Sequence, residues 1–332
     1  MLSRRRFLTA ATGAGIAVHQ LALSRPAPAQ TVAGPARMLV GFAPGGLVDA
    51  AARLIVEPLK GYAPSLIVDN QAGAGGRRAL DALKGAAPDG SVMALAPIDQ
   101  LVLYPHIYTR LSYRPVEDFA PVAGVCSFQF LLVVGSKVPA EVKTLADFIA
   151  WCRANPVAAA FGSGGAGTQP HFLGLALARA AGFDFAHVAY RGANLAVQDA
   201  VGGHLTAVIG SIGSLLPHIE GGALRALATA APRRSAALPN VPTVREAGYP
   251  ALESIGSGRM GVFCPARTPP ATVAALSQAV GAACALDGVK AGLARLGLDP
   301  LAASPAELAQ LIATETRHWA EAVKASGFKP ME

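Results

Sequence analysis

Two short apolar runs, residues 38–42 and 157–161, each break into a glycine-rich elbow and then into a helical pattern. The first elbow is Phe42-Ala43-Pro44-Gly45-Gly46, and the second is Gly162-Ser163-Gly164-Gly165-Ala166-Gly167-Thr168. Strand, glycine turn and helix in that order leave backbone N–H groups free at a helix N-terminus, where the helix dipole favours an anion. With Gly46 and Gly164 standing 118 positions apart, the two elbows belong to different parts of the fold. They read as two half-sites that close on one small anion.

The rest of the chain repeats the same alternation, which predicts an α/β architecture. Strands are expected at 38–42, 65–69, 92–96, 131–134, 158–161, 185–188, 207–210 and 226–229. Helices are expected at 47–57, 77–86, 144–154, 169–181, 193–201, 269–286, 289–296 and 305–324. Pro58 should end the first helix near Glu57, and Ser304-Pro305-Ala306-Glu307 spells a capping box with proline at the first helical position. Residues 231–250, carrying Pro232, Pro239, Pro242 and Pro250, form a proline-punctuated connector.

A hydrophobic content of 52% against 15% charged residues gives a well-buried globular chain and excludes disorder. Ser3-Arg4-Arg5-Arg6-Phe7-Leu8, a mild apolar stretch and Ala27-Pro28-Ala29 read as a twin-arginine-type signal peptide over residues 1–29. Those residues hold Arg4, Arg5, Arg6 and Arg25 and no acid, so the net charge of +7 falls to +3 without them. No basic run with interleaved aromatics occurs, and no nucleic-acid partner is expected. After the signal no uninterrupted apolar run reaches membrane-spanning length. The four cysteines, Cys126, Cys152, Cys264 and Cys284, have no metal-binding spacing, so no metal or other cofactor is implied.

Catalytic patterns are missing. Ser163 and Ser211 lack the glycine two residues upstream that a nucleophile elbow needs, and no H-E-x-x-H occurs. One rival survives: Gly162, Gly164 and Gly167 form a literal G-x-G-x-x-G, with Asp184 seventeen residues beyond the last glycine. An exported NAD(P)-dependent oxidoreductase would explain that spacing.

Beyond the elbows, the order of motifs resembles one family. Gly41-Phe42-Ala43-Pro44-Gly45-Gly46-Leu47-Val48-Asp49, Asp69-Asn70-Gln71-Ala72-Gly73-Ala74-Gly75-Gly76, Ala87-Pro88-Asp89-Gly90, Tyr113-Arg114-Pro115, Gly162 to His171, Tyr190-Arg191-Gly192-Ala193 and Leu238-Pro239-Asn240-Val241-Pro242-Thr243 follow one another as in the substrate-binding receptors of tripartite tricarboxylate transporters, the Bug receptors. The resemblance implies a non-enzymatic α/β two-domain periplasmic-binding-protein clamshell, type II-like, with the ligand cleft between domains. Domain 1 would comprise residues 31–125 plus 255–332, and domain 2 residues 126–254. The chain would cross near 125–128 and 257–263, close to Cys126 and Cys264, whose bridging stays open.

By the same resemblance the chain is a periplasmic monomer that captures a small organic acid, or an amino-acid-like acid, and hands it to membrane subunits of a transporter. A receptor feeding a membrane sensor shares the fold. The ligand-binding residues it implies are Phe42, Ala43, Pro44, Gly45, Gly46, Gly162, Ser163, Gly167, Thr168 and Ser211, the carboxylate being gripped largely by backbone. Asp49 reads as structural, linked to Arg53 four residues on. Thr168 doubles as a helix N-cap, and His171 as a packed histidine.

Three departures bear on the ligand. Arg77-Arg78-Ala79 stands where the family commonly has Asn-Ile-Gly, placing two cations at a helix start. Asp99 falls in a loop usually richer in Gly, Thr and Ser, where it would pair with Arg77 or Arg78 or receive a ligand ammonium. Ile209-Gly210-Ser211-Ile212-Gly213-Ser214 replaces a frequent Asp-Asn pair.

Overall fold

A computed structural model describes residues 32–332 apart from Lys60. The expected signal peptide lies outside the described residues. Ten strands are present among them: β1 (Ala36–Val40), β2 (Leu66–Asn70), β3 (Val92–Pro97), β4 (Phe119–Val134), β5 (Ala160–Ser163), β6 (Ala186–Ala189), β7 (Ala207–Ser211), β8 (Arg225–Thr229), β9 (Ser257–Pro265) and β10 (Leu298–Ala303). The helices are α1 (Leu47–Val56), α2 (Arg77–Lys84), α3 (Asp99–Val102), α4 (Tyr104–Ile107), α5 (Pro115–Asp118), α6 (Leu145–Ala154), α7 (Gln169–Ala181), α8 (Ala193–Val201), α9 (Ile212–Glu220), α10 (Pro270–Ala285), α11 (Asp287–Arg295) and α12 (Pro305–Ser326).

One long strand organises the molecule. Through Gln129, β4 pairs antiparallel with β9 on one side and with β10 on the other. From Phe130 onward it pairs with β7 and β8 instead. The lower half thus closes a sheet with β9, β3, β1 and β2, and the upper half a sheet with β7, β5, β6 and β8. Those two sheets, with their helices, are the two lobes. Within each lobe the three strands that precede the elbows and their neighbouring loops run parallel: β2, β1 and β3 in the first, β6, β5 and β7 in the second. Loops at the carboxyl ends of such strands are where open α/β sheets bind ligands.

Alternation along β4 builds two cores. Phe130, Leu132 and Val134 join the large core that runs through both lobes, whereas Leu131 and Val133 face a second cluster with Val197, Val208 and Leu215. The period-2 pleat requires that division. The capping box at Ser304 forms as the sequence requires, Ser304 Oγ accepting from Glu307 N–H and Glu307 from Ser304 N–H. Helix α1 stops at Val56 and passes into a 3-10 turn over Glu57–Leu59, where Pro58 supplies no N–H. Residues 231–249 fold back on β8 through the Thr229–Thr243 bridge before a 3-10 turn, Pro250–Ile255, leads into β9.

Register answers the cysteine question. Cys126 lies opposite Met260, and Cys264 opposite Ala120. Four strand positions, about 13 Å at ~3.3 Å per residue, therefore separate the two thiols, beyond disulfide reach. All four cysteines are free and buried.

Candidate functional site

The first elbow is held from below by a buried carboxylate. Asp49, in the first turn of α1, accepts from Gly45 N–H (2.9 Å), from Arg53 Nε and Nη2 (both 3.0 Å) and from Asn70 Nδ2 (2.9 Å). Asn70, the last residue of β2, also donates to Phe42 O at 3.0 Å. Burial pulls the Asp49 pKa up, but the bonds from Arg53, Gly45 and Asn70 outweigh it and hold the carboxyl below its ordinary range. With the elbow so fixed, Gly46 occupies the N-cap of α1 with no side-chain cap, and Ala43, Pro44 and Gly45 stand exposed. Uncapped N–H groups at that helix start are available to an anion. Phe42 is half-buried against the core.

A second loop of the same lobe packs behind the first. A Cβ on Gly41 would fall 2.5 Å from Gly76 Cα, so the β1–α1 and β2–α2 turns touch through bare backbone. Gly75 O accepts from Tyr104 Oη at 3.0 Å and from Gln100 Nε2 at 3.2 Å. Asn70, Gln100 and Tyr104 thus brace the lobe-1 edge of the site, roles that sequence reading missed. Only the Asp-Asn-Gln block before the glycines marked the first of them.

Asp99 opens α3 on the side facing α12. Its Oδ1 is buried without a hydrogen-bond partner, and burial, with Glu315 nearby, pushes its pKa up to about 6. Glu315 itself pairs with Arg259. No ion pair joins Asp99 to Arg77 or Arg78 among the described residues, so the expected salt link is corrected: Arg77 turns to Tyr108 and Arg78 folds its stem over Gly73. Neither elbow hydrogen-bonds to Asp99 among the described residues.

The second elbow is braced by two stacked imidazoles. Gly162 and Ser163 end β5, buried. Ser163 Oγ lies 2.8 Å from His187 Nε2 on β6 and 3.0 Å from Gly165 O. The hydroxyl donating to Gly165 O assigns the Nε2–H tautomer to His187. Thr168 sits at the N-cap of α7, but its Oγ1 donates to Gly165 O (2.8 Å) and closes the elbow; the expected side-chain cap is not made. His171 Nδ1 accepts from Gly167 N–H at 3.1 Å, and the His171 and His187 rings stack with centroids 3.8 Å apart. His171 is packed, as read from sequence; His187 was missed, for nothing in a short edge strand marks it.

This arrangement needs neutral rings. Burial, and then His171 beside it, lowers the His187 pKa from 6.5 to about 4, and burial also lowers that of His171. A depressed histidine contributes stability that is complete above pH 6.5 and is lost as pH falls through the folded value of about 4, because the unfolded chain takes up the proton first. We expect urea denaturation at pH 4.5 to show a loss relative to pH 7.5, of which His187→Gln removes roughly 2 kcal/mol after allowance for solvent screening at a half-exposed ring. An unchanged pH decrement in that variant would contradict the assignment.

The lobes meet on both flanks of the elbows. On one flank a Cβ on Gly213 would lie 2.6 Å from Leu296 O and 3.3 Å from Leu47 Cδ1, the residue after the first elbow. Ser211, at the N-cap of α9 there, shares a 3.0 Å contact with Ser214. On the other flank a Cβ on Gly167 would lie 2.7 Å from Met331 Cε and 2.9 Å from Ile107 Cδ1. The first elbow thus meets the second lobe beside Ser211, and the second elbow meets the first lobe at Ile107 and Met331; Asp99 faces Glu315 of α12.

The same register corrects the dinucleotide reading. Ala186 pairs with Ala160 at the start of β5, so exposed Asp184 precedes β6 at the sheet edge opposite the elbow. A ribose-binding acid belongs at the carboxyl end of that strand. Among the described residues no cluster of three or more His, Cys, Asp or Glu could hold a metal ion.

Comparison with known proteins gives concordant results. A model of the tripartite tricarboxylate transporter family receptor matches residues 52–328. BugT of Bordetella pertussis is 32% identical over 95% of this chain and 96% of its own. A solved Rhodopseudomonas palustris structure with adipate is 26% identical, with a TM-score of 0.81 over 90% of this chain and 98% of that one. MatC of the same organism, with bound malate, is 29% identical, with a TM-score of 0.76 over 87% and 98%.

Proposed function

This chain belongs to the tripartite tricarboxylate transporter receptor family, and from that premise we propose that it captures a small organic carboxylate between its lobes and delivers it to membrane transporter subunits. It is a solute-binding receptor of the periplasmic-binding-protein type and not an enzyme. The observation that carries the reading is the pair of glycine elbows on opposite lobes, one an uncapped helix start braced by Asp49, the other held open by Ser163 and the stacked histidines. The helices that follow them, α1 and α7, both start without a side-chain cap, which leaves backbone donors at their first turns for an anion the size of a carboxylate. Relatives with adipate and malate bound support the class.

In this reading Phe42, Ala43, Pro44, Gly45, Gly46, Gly162, Ser163, Gly167, Thr168 and Ser211 form the grip. Residues 31–125 with 255–332 make one domain and residues 126–254 the other. The twin-arginine motif at Arg4-Arg5-Arg6 directs export to the periplasm. The unpartnered Asp99 Oδ1 favours a second reading, an amine-bearing acid whose ammonium it would receive.

A thermal-shift screen over mono- and dicarboxylates, amino acids and NAD(P) tests both. At a hundredfold excess over Kd a true ligand contributes about 2.7 kcal/mol, which raises Tm by roughly 5 °C for a chain of this size. Stabilisation by NADP and by no acid would sink the proposal. Amino acids outranking their amine-free counterparts would move it to the second reading.

A further inference from the structure

The β2–α2 turn carries a cation for which the fold supplies no acid. Arg77 opens α2, a helix with no acidic residue in its first turn. Its Nε donates to Ala74 O at 3.0 Å, and its Cζ lies 3.9 Å from the centre of the Tyr108 ring. Tyr108 is itself fixed, edge-on to Tyr104 at 5.3 Å and bridged to Met331. Among the described residues no carboxylate forms an ion pair with Arg77. Beside it the Arg78 stem lies over Gly73, with Cδ 2.8 Å from where a Cβ would be. Two positive charges thus sit at a helix N-terminus, where the dipole opposes them.

The location is specific. Tyr104, against which Tyr108 packs, donates to Gly75 O in the same turn as Arg77. Ile107 and Met331, the neighbours of Tyr108, are also the two groups nearest to where a Cβ on Gly167 of the second elbow would stand. Stacking on an aromatic face fixes the guanidinium plane while leaving its terminal N–H groups free, and a fork so fixed suits a planar carboxylate. A peripheral anion arriving there would also relieve the opposition between the arginines and the α2 dipole.

We infer that Arg77 is the specificity-determining residue for the end of the ligand that the elbows do not hold, receiving a second anionic group where the lobes meet. The inference rests on the carboxylate reading above and adds to it one residue, whose removal should separate diacids from monoacids of the same length.

Matched pairs test it: adipate against hexanoate and succinate against butyrate, titrated calorimetrically into the full-length mature protein and into Arg77→Gln. The wild type should prefer the better-fitting diacid over its monoacid. Arg77→Gln should weaken that diacid on the order of tenfold to a hundredfold, the range of one charge-assisted hydrogen-bonded contact, with the monoacid changed less than about twofold. Should Arg77→Gln fail to fold, Arg77→Lys carries the test, with a loss of about threefold to tenfold for the diacid alone. Equal effects on both members of a pair, or a wild type indifferent to the second carboxylate, would overturn the inference and leave the carboxylate reading standing. If no acid of either kind binds the wild type, that reading falls and this inference with it.

Discussion

Replacing Gly41 with alanine is expected to weaken ligand binding on the order of a hundredfold and to destabilise the fold by about 3 kcal/mol. The new methyl would lie 2.5 Å from Gly76 Cα and 2.6 Å from Gly76 O. Both are backbone atoms, so no side-chain rotation relieves the contact. Overpacking of this kind costs about 1–3 kcal/mol and occasionally more, and the upper end applies because two main-chain segments must part. They are the segments that carry the first elbow and the Gly73–Gly76 turn, and β1 and β2 beneath them are paired throughout. The elbow is therefore displaced relative to the second lobe, and a donor moved by about 1 Å loses most of a charge-assisted hydrogen bond, worth about 1.5–3 kcal/mol. Urea denaturation and calorimetric titration of the best acid from the screen read the two effects separately. A variant with wild-type affinity would mean that the elbow is not positioned through this contact.

Asp49→Ala should be comparably severe for a different reason. It removes the acceptor of Gly45 N–H, of Asn70 Nδ2 and of two Arg53 donors at once. Loss of one partner from a buried charged network costs about 3–5 kcal/mol; here Arg53 is half-exposed and can turn to water, which brings the expectation to about 3 kcal/mol. Asp49→Asn keeps the shape and one acceptor oxygen, and should lose roughly half as much. Affinity for the acid should fall in both, more steeply in Ala. Equal stability of the Ala and Asn variants would show that the network acts through packing alone.

Much of this was legible because the governing signals are local. Strand, glycine and helix follow one another within a dozen residues at each elbow, and the helices over Gln169–Ala181 and Ala193–Val201 occupy the segments their periodicity requires. The Asp49–Arg53 link follows from helical spacing. What escaped is what depends on distant partners. Strand β9 reads poorly because Gly258 and Gly261 interrupt it, yet Gly258 faces Phe128 across the pair, and the aromatic ring fills the space a side chain would take. Strand β10 holds Pro300, tolerated because β10 pairs with β4 alone and is an edge strand, and α9 contains Pro217 in its interior. Only the last four residues of β4 were expected, because its first half alternates small residues with apolar ones.

The site shows the same division. Backbone elbows announce themselves through glycine, but the side chains that hold them, Asn70, Gln100, Tyr104 and His187, come from other strands and helices and carry no spacing of their own. The pairing expected between Asp99 and the two arginines failed because α3 turns Asp99 toward α12, a direction that proximity in sequence to the elbow does not reveal.

The position of β4 also sets an order of assembly. Its upper half pairs with β7 and β8, and β5 and β6 join through β7, so every strand of the second lobe comes from residues that follow directly, and only the 231–255 connector that folds back on β8 remains to be added. Its lower half waits for β9 and β10, which end only at residues 265 and 303. The lobe that begins the chain is accordingly the last to close, and β1 to β3 must remain open-edged while most of the protein is synthesised. Such long-range pairing is slow to form. A chain built this way reaches its ligand-competent form only once β9 and β10 have been added, with the middle of the sequence as the template on which the flanking segments settle.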